Sequence, residues 1–248
     1  MDASELKEIL DQHKLWIDGK GGSRADLTGA NLYGADLYRA ILNGADLRGA
    51  ILRDANLSVA NLSGANLYGA NLTGANLGHA YLLRADLTGA NLYCADLTSA
   101  ILHRANLSGA NLIGANLERA NLKDAYIVDA NLKDANLKDA YIVDANLKDA
   151  NLKDANLTGA YLGGANLTNA ILSDVSWIIP GCLAQLNQIS YSFYLKKENK
   201  HENFIQDSLG FFIQNNPEEG TFDMLVGDRI IRNIPDWVKY SGMSKIKD

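Results

Sequence analysis

The chain has 248 residues, a formal charge of −6 and two cysteines, Cys94 and Cys182. This length allows one or two domains, while the mild charge without a basic tract argues against a polyanion-binding surface, and two cysteines do not make a disulfide framework. No apolar run reaches the roughly 20 residues of a membrane span and the N-terminus lacks a signal-peptide pattern, so we expect a cytoplasmic protein.

The first 24 residues precede a long repeat array and are predicted to cover its end. Residues 2–17 have the spacing of a short helix with Ser4 as its N-cap. The apolar residues on one face of this helix are Leu6, Ile9 and Leu10. The glycine segment 19–22 ends the helix, and its spacing fits neither a P-loop nor a dinucleotide fingerprint. We therefore interpret residues 1–24 as an N-terminal cap helix and loop.

One five-residue phrase recurs thirty times without a gap over residues 25–174. Ala begins every phrase, Asn or Asp is second in twenty-two of them, and Leu is third except at Ile127 and Ile142. The alternation of apolar, polar and apolar residues indicates a short extended leg with Ala and Leu on one side. The fifth residue is Gly in twelve phrases, Asp in nine and Asn in one, which is typical of turns with positive φ.

A leg followed by a corner makes the chain coil around its own apolar axis, because Ala and Leu must face inward again after each corner. The sequence therefore predicts an all-β solenoid whose coils stack about 4.8 Å apart. The predicted core includes Leu27, Leu47, Leu67, Leu87, Leu107, Ile127, Leu147 and Leu167.

The phrase resembles the A(D/N)LXX repeat of the pentapeptide-repeat family, as in Ala25-Asp26-Leu27-Thr28-Gly29. The resemblance covers 150 of the 248 residues. It implies a right-handed quadrilateral β-helix with four phrases per coil, Leu at the centre and Ala packed near it. On that basis the thirty phrases give about seven and a half coils, a rod roughly 35 Å long.

Eight phrases carry Ile or Tyr instead of Asn or Asp at the second position. If a coil holds twenty residues, five of the eight share one column: Ile41, Tyr81, Ile101, Tyr141 and Tyr161. A coil of fifteen residues also aligns five, so the spacing leaves three and four sides open. Exposed aromatic columns are typical of protein interfaces, so we predict an interaction stripe here. The alternative is purely structural, since Tyr and Ile suit β surfaces and stack between coils.

The second half of the array changes character. Residues 121–135 recur identically at 136–150, and Lys-Asp pairs occupy several corners. A fifteen-residue duplication advances a four-sided coil by three faces, so the copied side chains reach a different face. Adjacent Lys and Asp are close to neutral together, which favours a solvated spacer in this half.

The segment 175–248 follows the array and contains all five Phe residues. Its apolar spacing indicates helices over 182–195 and 201–214, whereas 222–240 fits a helix or a strand. We predict a mainly α C-terminal segment. It is a cap, a small helical domain or a module through which two copies form a homodimer.

No residues form a catalytic, cofactor-binding or metal-binding pattern. The histidines share no zinc or triad spacing with each other or with Cys94; they are His13, His79, His103 and His201. Lys beside the corner carboxylates keeps them ionised instead of raising their pKa toward that of a general acid. We therefore expect a protein that is not an enzyme and holds no cofactor or metal.

Three functions fit these observations. The first is a rigid scaffold for protein–protein interaction, with another protein as partner and no direct contact with nucleic acid or a membrane. The second comes from the family, since some members mimic B-form DNA and bind DNA gyrase; here, however, residues 25–174 carry only four more acidic than basic residues. The third, also implied by the resemblance, is regulation of development or a stress response through a protein partner. A gyrase supercoiling assay separates the second from the others.

Overall fold

The computed structural model describes residues 1–172, Val175 and three short strands. The chain begins with helix α1 (Ala3–Ile17) and continues into the repeat array. The three strands are β1 (Ile213–Asn216), β2 (Thr221–Val226) and β3 (Arg229–Pro235). The predicted helix over 182–195 and most of the one over 201–214 lie outside the described residues.

Helix α1 is capped two residues earlier than the sequence analysis predicts. Asp2 has extended backbone angles, and its carboxylate accepts hydrogen bonds of 2.8 Å from the N–H groups of Ser4 and Glu5. The prediction of Ser4 as N-cap is therefore wrong. Asp caps a helix as well as Ser does, and from position 2 it reaches two free N–H groups at once. The Ser4 hydroxyl donates to the same carboxylate.

Helix α1 packs against the start of the array. Its half-buried face consists of Leu6, Ile9 and Leu10. His13 is fully buried, and its Nδ1 accepts a 3.0 Å hydrogen bond from the N–H of Ala25. The chain then returns close to the helix, where a Cβ on Gly22 would clash with the carbonyl oxygen of Gln12. This close approach explains the glycine at position 22.

Residues twenty apart pair in parallel along the whole described array. The β-bridges join the second residues of phrases, beginning with Asp26 and Asp46 and ending with Asn151 and Ile171. A coil therefore holds four phrases, and the fifteen-residue coil is not adopted. We number the four sides by their first phrase: face 1 begins at Ala25, face 2 at Ala30, face 3 at Ala35 and face 4 at Ala40.

Ala and Leu fill the interior of the coils. The eight leucines and isoleucines named above as core, from Leu27 to Leu167, are each at most 1% exposed. The backbone between them bonds to the neighbouring coils; Leu97, for example, donates to the carbonyl of Asn116 at 2.7 Å. Pairing the polar backbone groups coil to coil leaves a dry line of apolar side chains along the axis.

Every fifth residue from Gly29 to Asn169 has a left-handed backbone, with φ between 53° and 71°. The following Ala N–H donates to the Leu carbonyl three residues earlier, as Ala30 does to Leu27 at 3.0 Å. A hydrogen-bonded turn with positive φ at its third residue is the type II pattern, which explains the Gly, Asp and Asn of the sequence. Val59 is the one β-branched residue among these corners, and its φ is 60°.

The described C-terminal part is a three-stranded antiparallel sheet in the order β1-β2-β3. The prediction of a mainly α segment is wrong for these residues, and the predicted helix over 201–214 overlaps β1 at its last two positions. Strands form here because two apolar runs flank the dipeptide Gly227-Asp228, a hairpin signal that outweighs the helix-like spacing of the same residues.

The duplicated segments occupy different faces. Tyr126 bridges to Asn106 and Asn146 on face 1, whereas its copy Tyr141 bridges to Asn121 and Tyr161 on face 4. Fifteen residues are three phrases, so the copy is turned by three sides of a four-sided coil.

Candidate interaction surface

Face 4 carries the five residues of the predicted stripe. One unbroken ladder of bridges runs from Ile41 through Asn61, Tyr81, Ile101, Asn121 and Tyr141 to Tyr161. The other second-position Ile and Tyr residues lie elsewhere: Tyr126 on face 1, and Ile51 and Ile171 on face 2. We call the five residues on face 4 the stripe.

The second position of the phrase has a structural task that the stripe does not perform. At all twenty-two Asn and Asp residues, from Asp26 to Asn166, the side-chain oxygen accepts a hydrogen bond from the backbone N–H two residues later. This Asx-turn bond braces the leg against its corner. Ile and Tyr have no acceptor in reach, so each stripe residue gives up that bond.

The stripe is largely open to solvent. Four members are between 39% and 52% exposed, and Ile101 is half-buried. Apolar side chains at the fourth position widen it, namely Leu83 beside Tyr81 and Val143 beside Tyr141. The rings of Tyr141 and Tyr161 lie 6.0 Å apart at 50°. The result is two apolar clusters on one flat side, separated by the coil of Asn121.

Sequence reasoning missed Leu83 and Val143. Both lie on face 4 because a coil contains twenty residues, and the sequence alone does not decide between coils of fifteen and twenty residues. The signal that would have found them is the same twenty-residue comparison applied to the fourth position of the phrase.

The corners beside face 4 change sign along the rod. Between residues 39 and 119, every charged corner beside face 4 is basic: Arg39, Arg84, Arg104 and Arg119. The corners that follow are acidic: Asp124, Asp139 and Asp144. The signs meet where the guanidinium of Arg104 lies 3.4 Å from the carboxylate of Asp124, and His103 Nδ1 lies 3.8 Å from the same group.

The family model for pentapeptide repeats matches residues 23–44, 40–78, 65–104, 100–139 and 135–174, which is more than half of the chain. The chain belongs to the pentapeptide-repeat family. The right-handed β-helix of that family is the fold of the array, and the resemblance drawn from its phrases is confirmed.

Several solved structures resemble this pentapeptide-repeat protein. HetL, involved in heterocyst differentiation regulation in the cyanobacterium Nostoc sp. strain PCC 7120, is 31% identical over 73% of this chain and 98% of its own, with a TM-score of 0.31. Rfr23 from the cyanobacterium Cyanothece 51142 is 26% identical over 70% and 95%, with a TM-score of 0.24. QnrB1, a plasmid-mediated fluoroquinolone resistance protein, is 21% identical over 58% and 77%, with a TM-score of 0.47. No curated protein matches the chain.

The candidate reactive residues of this pentapeptide-repeat protein lie apart on the surface of the rod. His79 and Cys94 are exposed corner residues on faces 3 and 2, with positive φ. His103 Nδ1 lies 2.9 Å from the backbone carbonyl oxygen of Lys123. Within the described residues, no three His, Cys, Asp or Glu side chains come together as a metal site.

The acidic side chains with shifted pKa values in the repeats are held in the ionised form. The hydroxyl and backbone N–H of Thr28 lower the pKa of Asp26. The guanidinium of Arg48 lowers the pKa of Asp46, which it contacts at 2.7 Å. A general acid needs the opposite shift.

His13 is the one buried polar or charged residue among residues 1–172. Burial lowers the pKa of His13. Nδ1 accepts a hydrogen bond from Ala25 and so carries no proton, which makes the ring neutral with its proton on Nε2. Its ring stacks on Trp16 at 5.4 Å. These contacts hold α1 against the array.

Within the part of the chain that the structure describes, no helix is both long enough and apolar enough to cross a membrane.

Proposed function

We propose that this protein is a non-enzymatic scaffold whose β-helix holds the stripe on face 4 as a docking surface for a protein partner. The observation that carries the proposal is the exchange at the second position. Five of the seven described phrases of face 4 replace a bonded Asn or Asp by an Ile or Tyr, four of them exposed and Ile101 half-buried, against none of seven on face 3.

Replacing Asn or Asp by Ile or Tyr at the second position lowers the stability of the isolated rod. A protein hydrogen bond contributes about 1 kcal/mol net, so five lost Asx-turn bonds remove on the order of 5 kcal/mol. Each replacement also leaves an apolar side chain partly in water. Stability of the isolated array does not explain why these losses are concentrated on one side. Coverage of that side by another molecule does explain it.

Stacking between coils offsets only part of the loss. Two neighbouring pairs of apolar residues occur along the ladder, Tyr81 with Ile101 and Tyr141 with Tyr161. Such cross-strand pairs contribute about 0.2–1 kcal/mol each. Ile41 has only Asn61 as its ladder neighbour and is 39% exposed, so stacking gives it nothing comparable. The structural alternative therefore does not account for the whole stripe.

The backbone supports recognition because it is already fixed. Each stripe residue sits on a leg that is bridged to the coils beside it, so little conformational entropy is lost on docking. Tyr adds contact area with few rotatable bonds, which is why interfaces are rich in it.

The charge of the corners supports a protein partner more than DNA mimicry. A DNA mimic needs a dense acidic surface. Here the ammonium group of Lys133 lies 3.3 Å from the carboxylate of Asp134, and that of Lys148 lies 3.4 Å from the carboxylate of Asp149. These pairs neutralise the acidic corners. We expect the purified protein to leave gyrase supercoiling unchanged at micromolar concentration.

The array itself supplies the variant that tests the proposal. In a triple variant, Tyr81→Asn, Ile101→Asn and Tyr141→Asn, each new residue is the one the array uses at that position and regains the Asx-turn bond. We expect this stripe variant to unfold at the same or a higher temperature than the parent. We also expect it to lose partner proteins that the full-length parent captures from a lysate.

The matched control changes the same residue types on other faces, Ile51→Asn and Tyr126→Asn. We expect this control to retain the captured partners. Capture that survives in the stripe variant, or that is lost equally in the control, contradicts the proposal. A truncation after Asp174 then tells whether the C-terminal segment, proposed as a cap or a dimerisation module, adds to capture.

A further inference from the structure

Charge and apolar clusters are arranged along face 4 in a self-complementary order. The first cluster, Tyr81 and Leu83, lies beside the basic corner Arg84. The second, Tyr141 and Val143, lies three coils later beside the acidic corner Asp144. The two coils therefore have the same layout with opposite charge.

We infer that face 4 pairs with face 4 of a second copy of this chain, side by side and antiparallel. The inference rests on the proposed function, because it names the partner of the same stripe. It differs from the predicted dimer through the C-terminal segment, since only residues of the array take part.

The register follows from the positions of the two clusters. A two-fold axis lying in the interface, midway between the coils of Ile101 and Asn121, exchanges the coil of Tyr81 with the coil of Tyr141. Tyr81 then meets Tyr141 of the second copy. Because a two-fold interface is isologous, every contact forms twice.

The same axis brings the side chains around the tyrosines into matching positions. It places Leu83 against Val143 of the second copy and Arg84 against Asp144 of the second copy. The two Ile101 residues are offset along the rod by only about one coil spacing, roughly 4.8 Å, on either side of the axis. Arg104 and Asp124, already 3.4 Å apart within one chain, lie close enough to the axis to face the same pair of the second copy.

The charges available for this contact are not used within the chain. Arg84 and Asp144 are both exposed, and neither forms an ion pair with another residue of the described part. A pair of opposite corners that can form twice favours association and fixes its direction.

Other occupants fit the surface less well. A second copy in parallel register is related by a two-fold axis along the rod, which exchanges the two edges of face 4, so Arg84 would meet His79 and Asp144 would meet Asp139 of the second copy. Asp144 then faces a like charge, which opposes association, and Arg84 gains no acidic partner. A uniformly acidic or basic partner would be repelled along one half of the face. The antiparallel copy places opposite charge against both halves of the edge that carries Arg84 and Asp144.

Reciprocal charge reversal tests the pairing in the full-length protein. We compare the parent, Arg84→Asp, Asp144→Arg and the double variant by sedimentation velocity over a range of concentrations. The corners of the array already hold both Arg and Asp at positive φ, so these changes suit the backbone. Asp129→Arg, an exposed corner between faces 1 and 2, makes the same charge change away from face 4.

We expect a concentration-dependent dimer for the parent and for Asp129→Arg. Each single reversal on face 4 should weaken association about tenfold or more, and the double variant should recover to within about threefold of the parent. A parent that stays monomeric up to hundreds of micromolar, or a double variant no better than the singles, overturns the inference. A dimer whose association is unaffected by the charge reversals at Arg84 and Asp144 also overturns the inference.

The stripe variant separates this inference from the proposed function. A monomeric parent that still loses a captured protein in the stripe variant overturns the homodimer while leaving the docking surface in place. A dimer that is lost in the stripe variant as well as in the charge reversals supports the homodimer.

Discussion

Replacing Leu97 by Ala tests the inward register of the array. Leu97 is 0% exposed. Losing its buried methyl and methylene groups removes about 2 kcal/mol of transfer free energy. The coils cannot collapse onto the gap, because the N–H of Leu97 is fixed to the carbonyl of Asn116 at 2.7 Å. A residual cavity then adds about 1–2 kcal/mol, so we expect a total loss of about 3–4 kcal/mol.

The measurement is urea unfolding followed by circular dichroism, at a protein concentration low enough to keep the chain monomeric. Leu83→Ala is the matched control, since it makes the same chemical change at an outward position that is 37% exposed. We expect it to cost less than about 1 kcal/mol. Leu97→Asp, which buries an unpaired carboxylate, should be worse than Leu97→Ala. Equal losses at positions 83 and 97, or no loss at 97, would refute the inward assignment.

Three further predictions concern single side chains. Val59→Asn should raise the urea midpoint, because a left-handed backbone costs a β-branched residue about 1–2 kcal/mol and Asn tolerates it; a lower midpoint would contradict this. Asn136→Ala should cost about 1–2 kcal/mol in the same assay, because it removes the acceptor for the Lys138 N–H together with the amide hydrogen bonds to Asn116 and from Asn156; an unchanged midpoint would show that these three bonds contribute nothing. NMR titration of His13 should give a pKa below the usual value of about 6.5, since burial disfavours its charged form. Because the unfolded state then takes up the proton more readily, docking of α1 should be stable above that pH and weaken below it, and a pKa above 6.5 would reverse this expectation.

The rod could be predicted from the sequence because its two determinants are local. Ala and Leu repeat in strict register, and the fifth residue of each phrase has the chemistry of a left-handed corner. The number of sides could not be predicted, since the Ile and Tyr residues align five at a time with either period. The number of sides is set by the angle through which each corner turns the chain. That angle depends on backbone geometry, which the side chains do not reveal.

The candidate surface was predictable only in part for the same reason. The five stripe residues could be named, but Leu83, Val143 and the change of charge along the corners become neighbours of the stripe only once the coil length is known. The sequence left 222–240 open between helix and strand, because its apolar residues fit either spacing, and it predicted a helix where β1 begins. Antiparallel pairing of the three strands overrides such weak local preference.

The internal duplication changes where a side chain points without changing what lies beneath it. Without residues 136–150, Tyr161 would fall one coil beyond Tyr126, and both rings would project from face 1. With the insertion, Tyr161 and the copied ring at position 141 project from face 4 instead. Adding or removing whole phrases therefore rotates everything downstream in quarter-turns, so evolution can re-aim one end of this molecule against the other while every leucine keeps its place.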